Sequence, residues 1–315
     1  MITTVECPKC GRQTGVRRTA CIYCGESLPA TDELAGLQIP SLKFVEEWES
    51  GYSVILAPLD QESATERQIL RLAEIAHIED SEARELLGAR VSLPVARVGS
   101  AESAELVARL LGDAELGSTV VPDAALALDT GLRRVREVSF EDDRIAVQIL
   151  WGDRAELARE DVVVAVTGRI VSTKVDIIES LGKERKGFDV EEASQYFMES
   201  YAIDVYGPTF EEGFRIKADS FDFGSVLERP SIRVDRNVAS LGALIEEYLG
   251  ASRYDSDFSR VAKMLDHAWP RESRLDSRGL RARGDFKKHT ASSVTTDSMR
   301  QFTRYSRTRF HLRNA

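Results

Sequence analysis

Cys7, Cys10, Cys21 and Cys24 are the four cysteines of the chain, and they form two Cys-x-x-Cys pairs. Each pair turns two sulfurs toward one centre, so the two together offer four thiolates, the donor set of a closed tetrahedral zinc site. Residues 11–20 separate the pairs, enough for a short hairpin that sets the turns face to face. Gly11 and Gly25 each follow the second cysteine of a pair, where a positive φ lets amide N–H groups turn toward the sulfurs. With every position taken by sulfur no place is left for water, so the metal implied is one structural Zn2+ rather than a catalytic one. Two disulfides would suit a secreted chain, which nothing here indicates. A thioredoxin-like redox pair needs one Cys-x-x-Cys beside a βαβ unit, and here there are two without such a unit nearby. An iron site of rubredoxin type uses similar turns and stays open as the alternative to zinc.

Residues 5–28, with Cys7-Pro8-Lys9-Cys10-Gly11 and Cys21-Ile22-Tyr23-Cys24-Gly25, resemble the short bacterial zinc-ribbon family. The resemblance implies a small ribbon whose folding energy comes mostly from metal binding.

The elements that must carry this site belong to a modular chain. At 315 residues the length predicts two or three domains, and 43% apolar content is enough for real cores. The longest apolar runs, such as residues 162–166, are strand-sized, so no membrane span and no membrane partner are expected. The first residues lack a basic region followed by an apolar one, so no signal peptide is read and a cytoplasmic location is expected. The formal charge is −10, unevenly spread. Residues 271–315 hold twelve Arg and Lys against four acids, a net +8, which leaves −18 for residues 1–270. Such a tail attracts either nucleic acid or the acidic body.

The fold class expected is α+β in several domains: ribbon 1–28, linker 29–51, an α/β module 52–123, a β-rich domain 130–249, and a short helix with basic tail 250–315. Residues 43–48 read as a short amphipathic turn leading into the module. Within the module, 52–57 is strand-like. Residues 63–78 have helical spacing, with Ser63 and Glu66 fitting a capping box. Asp80 or Ser81 caps a second helix through Leu87. Residues 93–98 form an edge strand because of Pro94. Ser100 caps a helix over 101–111, and 117–122 closes as a strand. The order is β-α-α-β-α-β.

That order, with residues 74–87 and 101–106 carrying the likeness, resembles the C-terminal domain of the bacterial ribosomal stalk protein. It is also similar to the Clp-protease adaptor fold that reads N-degrons. The functional positions do not carry over. His77 and Glu79 stand where the stalk family has glycines, and Ser81 stands at its lysine position, with Arg84 alone keeping a positive charge. The adaptor's Asn-Asp-Asp run is replaced by Ala57-Pro58-Leu59-Asp60. The resemblance therefore implies a fold, not an activity.

Further on, 135–140 and 144–150 alternate around Glu141-Asp142-Asp143 as a hairpin. Residues 161–175 read as one bent strand or two hinged at Gly168, with more strand at 195–206 and 213–218. Residues 179–194 read as an exposed loop, with a helical turn at 190–193. An amphipathic helix over 236–249 would cap a small barrel or curled sheet, an architecture similar to the pleckstrin-homology type. A short helix is expected over 258–267, before Pro270. Residues 270–297 are poor in apolar side chains and read as flexible. The last stretch interleaves aromatics with arginines: Arg300, Arg304, Tyr305, Arg307, Arg309 and Phe310 are the candidate nucleic-acid or acidic-partner residues. The alternative is that the same aromatics anchor the terminus and its arginines pair with the body.

Other patterns carry no chemistry. Asp222-Phe223-Gly224 lacks every other kinase element, and residues 182–187 lack the Gly-Lys-Ser/Thr ending of a phosphate loop. The four histidines are scattered, with His267 read as a partly buried structural residue. Asp142/Asp143 and Asp255/Asp257 read as solvated turns rather than acid/base pairs. The reading is a non-enzymatic zinc-binding adaptor with a protein partner, in the class of ribosome-associated proteins among others. The alternatives are a nucleic-acid-binding protein using ribbon and tail, and an enzyme with its site in the β domain.

Overall fold

In the computed structural model, residues 4–15, 21–26, 28, 45, 49–59, 63–181, 188–282 and 288–314 are described. The expected linker and the amphipathic turn at 43–48 fall mostly outside them. The chain divides into two compact units, Met1–Ala127 with Lys263–Pro270, and Leu128–Ala262 with Arg271–Ala315.

In the first unit, β1 (Thr4–Glu6) and β2 (Gln13–Gly15) pair as an antiparallel hairpin. Then come β3 (Tyr52–Leu56), α1 (Glu66–Ala76), α2 (Asp80–Gly88), β4 (Leu93–Val98), α3 (Ala101–Gly112) and β5 (Ser118–Pro122). This is the β-α-α-β-α-β order, in an antiparallel sheet β4-β3-β5 with Pro94 on an edge strand. The cap of α1 differs from the expected one. Thr65, not Ser63, accepts the Gln68 N–H, and the Gln68 side chain accepts the Thr65 N–H in return. Both ends of the reciprocal pair shift by two residues because Thr65 and Gln68 stand at the same spacing. α3 packs on all three strands and α1 on α3, burying Leu72, Ile75, Val107 and Leu111. Ser53 and Arg97 are paired across β3 and β4, and both are buried. The Trp269 Nε1–H donates to Ser53 Oγ at 3.0 Å. Arg97 bonds Asp123 through Nε at 2.9 Å, and donates to the carbonyls of Val45 and Glu49. A segment far down the sequence thus returns to complete this core.

The second unit is built on β6 (Arg133–Phe140), β7 (Arg144–Ile149), β8 (Arg154–Ala158), β9 (Val164–Leu181), β10 (Phe188–Tyr206) and β11 (Phe214–Lys217). These are followed by α4 (Val234–Leu249), β12 (Tyr254–Asp255), α5 (Phe258–Val261), β13 (Glu272–Ala282), β14 (Lys288–Asp297) and α6 (Met299–Asn314). The sheet order is β13-β14-β9-β10-β11-β6-β7-β8, with β12 also beside β9. Of the small barrel or curled sheet expected, the described residues form an open sheet with β13 and β8 at its edges and no closed barrel. Two expectations are corrected here. Residues 179–181 and 188–194 continue the β9–β10 hairpin instead of forming a loop with a helical turn. Residues 272–282 and 288–297 are strands of the same sheet rather than a flexible stretch. Their polar side chains misled the reading, because a ladder is held by backbone hydrogen bonds that any side chain permits. The short helix is α over Phe258–Val261 and 3-10 over Ala262–Leu265.

Each face of this sheet has its own helix. On one face Ala165, Ile203 and Val205 join Val238, Leu241 and Ile245 of α4 in a core with Phe214, Ile216 and Leu249. On the other, Phe302 of α6 and Phe258 of α5 press on Gly168 so closely that a Cβ there would sit 2.4 Å from the Phe302 ring. Gly168 is therefore a place of close approach within one continuous strand, not a hinge.

Candidate metal centre

The two knuckles have the same backbone build. The Gly11 N–H donates to Cys7 O at 2.9 Å and the Gly25 N–H to Cys21 O at 2.9 Å. The Cys7 N–H reaches Arg12 O at 3.0 Å, and the Cys21 N–H reaches Glu26 O at 2.8 Å. Both turns close only because Gly11 and Gly25 take φ of 65° and 73°, a region that side chains with a Cβ rarely adopt.

These turns place all four Sγ atoms within 4.8 Å of one another. Cys7 and Cys24 lie 3.6 Å apart, as do Cys10 and Cys21. A tetrahedron with metal–sulfur bonds of about 2.3 Å has sulfur–sulfur edges of about 3.8 Å. The donor set fits a metal ion in type, number and spacing, and the arrangement is consistent with a zinc ribbon.

The surroundings are tuned as such a centre requires. Cys7 and Cys21 are buried and pack with Leu28 and Val5. The Tyr23 N–H points at Cys21 Sγ at 3.4 Å and the Thr14 hydroxyl at 3.7 Å. Burial pushes the Cys21 thiol up, but the Tyr23 and Cys24 N–H groups and the Thr14 hydroxyl outweigh it and bring it down to about 6. At Cys24 the Glu26 N–H lowers the thiol, while burial and the crowding of Cys10, Cys7 and Cys21 win and push it up to about 12. Sulfurs this close hold four negative charges together only with a cation among them. Thr14 is a supporting residue that sequence reasoning missed, its one signal being a position in the strand after the first knuckle.

The described surface around the sulfurs is mostly polar. Lys9 pairs with Glu26 at 2.8 Å. Ile22 and Tyr23, at the tip of the second knuckle, are 55% and 54% exposed, with the Arg12 guanidinium 4.8 Å from the Tyr23 ring centre.

The six candidate residues of the last stretch all lie on α6, and most point into their unit. Arg304, Tyr305, Arg307 and Phe310 are buried. The Tyr305 hydroxyl donates to Asp255 Oδ1 at 3.0 Å, and Arg309 pairs with the same carboxylate at 2.6 Å. Arg307 donates to Thr130 O and lies over the Phe210 ring. Phe310 packs between Tyr206 and Phe210. Arg300 is half-buried. Next to them, Asp204 is fully buried and takes two hydrogen bonds from Arg215, at 2.5 and 2.7 Å, and one from Ser306 at 2.7 Å. Asp255, expected in a solvated turn, is instead buried under Tyr305 and Arg309, and Asp204 is a site that sequence reasoning missed, since nothing local distinguishes it from a surface acid. His267 is half-buried, and burial lowers its pKa. Asp222 caps a short turn by accepting the Gly224 N–H. The cysteine set is the one metal-competent cluster among the described residues. Comparison with protein-family models, with curated proteins and with solved structures finds no match to this chain. Among the described residues no helix is long and apolar enough to cross a membrane.

Proposed function

We propose that the chain is a non-enzymatic, zinc-binding adaptor that meets a protein partner through its ribbon among other surfaces. The observation that carries this reading is the sulfur set with its bare tip. Four thiolates at tetrahedral spacing use every coordination position, which suits zinc held for structure and leaves it no room to activate water. The knuckle this ion would hold rigid presents Ile22 and Tyr23 to solvent beside Arg12. Aromatic and arginine side chains are enriched where proteins meet, and a rigid tip keeps the ordering cost of binding low.

The test combines metal content with co-purification at native salt. One zinc per chain, and a defined protein recovered with the wild type but lost with Ile22→Ser plus Tyr23→Ser at unchanged zinc content, are the expected results. Sedimentation with ribosomes distinguishes a ribosome-associated partner from a free one. Repeated recovery of the lone chain, or a partner indifferent to those substitutions, removes the reading. RNA in place of protein in the eluate assigns the chain to nucleic-acid binding instead.

A further inference from the structure

Past the part of the sheet that α4 covers, β13, β14, β9 and β10 run on as a four-stranded antiparallel ribbon. Residues paired across antiparallel strands share a face, and alternate residues change face. The register sets Leu275, Val294, Val175 and Gln195 in one row, and puts Val171, Ile177 and Phe197 on that same side. The opposite side carries Arg274, Thr295, Lys174 and Tyr196 in a row. The ribbon is therefore amphipathic, yet its apolar side is open: Phe197 is 72% and Leu275 69% exposed. It is the same side that bears the α4 core nearer the body, where Ala165, Ile203 and Val205 are buried. The helix ends and the apolar pattern goes on.

We propose that this face is a self-association surface, on which a second copy of the chain lays the same face of its own ribbon with strand direction reversed. Three observations select a second copy as the occupant. The first is height. A helix stands about 10 Å across and two packed sheets lie about 10 Å apart, so another ribbon fills the step beside α4 to the helix's own level. Reversal puts each body beyond the tip of the other's ribbon, so the two α4 helices do not compete for that space. The second is area. From Val171 to Ile178 the ribbon is about 26 Å long at ~3.3 Å per residue, and four strands at ~4.8 Å make it about 19 Å wide. That gives about 500 Å² a copy and about 1,000 Å² in all, the size at which specific interfaces begin. The third is charge. Among the described side chains of this face, Arg169 and Glu199 are charged, and they pair with each other at 3.5 Å. Over its described side chains the face is therefore neutral, so two chains of net charge −10 can meet there without like charges in contact.

Sedimentation velocity of the full chain, from roughly 1 to 100 μM, tests this. The expected result is a species of twice the 35.0 kDa chain mass that dissociates on dilution. Phe197→Glu with Leu275→Glu should raise the dissociation constant at least about tenfold. Because both positions are exposed, the thermal unfolding of these variants should match the wild type. Should the glutamates disturb the strands, Phe197→Thr with Leu275→Thr keeps β propensity and should weaken the dimer in the same direction. Tyr196→Glu with Met198→Glu changes the opposite side and should leave association intact. A wild type that stays monomeric throughout overturns the proposal. So does a dimer that both faces' substitutions affect alike, or that neither affects.

Discussion

Removing the metal from the ribbon should unfold the ribbon and leave the rest of the chain folded. Among the described residues, buried Leu28 and half-buried Val5 are the apolar side chains packed with the sulfurs. They contribute at most about 1.5–3 kcal/mol each, or about 5 kcal/mol together. Ordering some twenty residues of backbone costs on the order of 20 kcal/mol at ~1 kcal/mol each. A structural zinc ion contributes about 10–16 kcal/mol, which brings the balance near zero and leaves none of it to the apolar core alone. Hydrogen exchange read peptide by peptide is the assay. With metal, the Cys7, Gly11, Cys21 and Gly25 amides, each bonded to a backbone carbonyl, should be protected. After treatment with a zinc chelator, or in Cys7→Ser with Cys24→Ser, protection over residues 4–26 should fall to that of an unstructured peptide. The amides of β3, α1 and α3 should not change. The ion should also leave as the pH falls, because each thiolate must be free of its proton to bind. Full protection of the ribbon in stripped protein would refute the reasoning, since its described side chains form no other core to hold it.

Further expectations concern the units that carry the ribbon and the sheet. Gly168→Ala puts a methyl group 2.4 Å from the Phe302 ring and 2.8 Å from Phe258, and should cost about 1–3 kcal/mol in denaturant unfolding of the second unit. Arg97→Leu leaves the Asp123 carboxylate buried without its 2.6 Å ion pair, and should destabilise the first unit by about 3–5 kcal/mol in the same assay. Burial, then the nearby Asp204 charge, raises the Tyr206 pKa well above that of a free tyrosine, and burial with Asp255 does the same at Tyr305. The folded state thus keeps protons that the unfolded chain releases above about pH 10, so stability present below that pH should be lost as the pH rises through it. Urea midpoints at rising pH should show this loss, and Tyr206→Phe with Tyr305→Phe should flatten it.

The cysteine cluster was legible because its chemistry is local: residue type, spacing and the two glycines specify the knuckles without any distant partner. The β-α-α-β-α-β order was legible for a related reason, since its helices announce themselves by apolar period and caps within a dozen residues. Even there the cap of α1 slipped by two positions, because Ser63 and Thr65 start equally good capping boxes and only the packing of Ile69 and Leu72 chooses between them. The completion of that core by Trp269 was out of reach. A tryptophan near Pro270 carries no sign that its indole will donate to Ser53, more than two hundred residues earlier.

The basic tail shows what composition leaves open. A positive segment behind an acidic body fits either an outward-facing charge or a terminus docked on the body. On α6 Arg304 and Arg307 are buried, and Arg309 pairs with Asp255, a carboxylate that a reader of the sequence would set on the surface. Asp204 lies inside β10 and Asp255 inside β12, and both are buried. Burying a carboxylate costs desolvation energy, which is offset only when its donors are well placed. Arg309 and the Tyr305 hydroxyl meet Asp255, while Arg215 and the Ser306 hydroxyl meet Asp204. Part of the +8 of the tail is thus matched within its own unit. The polar strands β13 and β14 bring α6 to that position, which makes them structural members and not a spacer. Deleting residues 271–315 would therefore strip two strands from the sheet and expose Asp204 and Asp255. A truncation of this kind would report unfolding of the second unit, whereas single substitutions on α6 keep the fold and report on the contacts themselves.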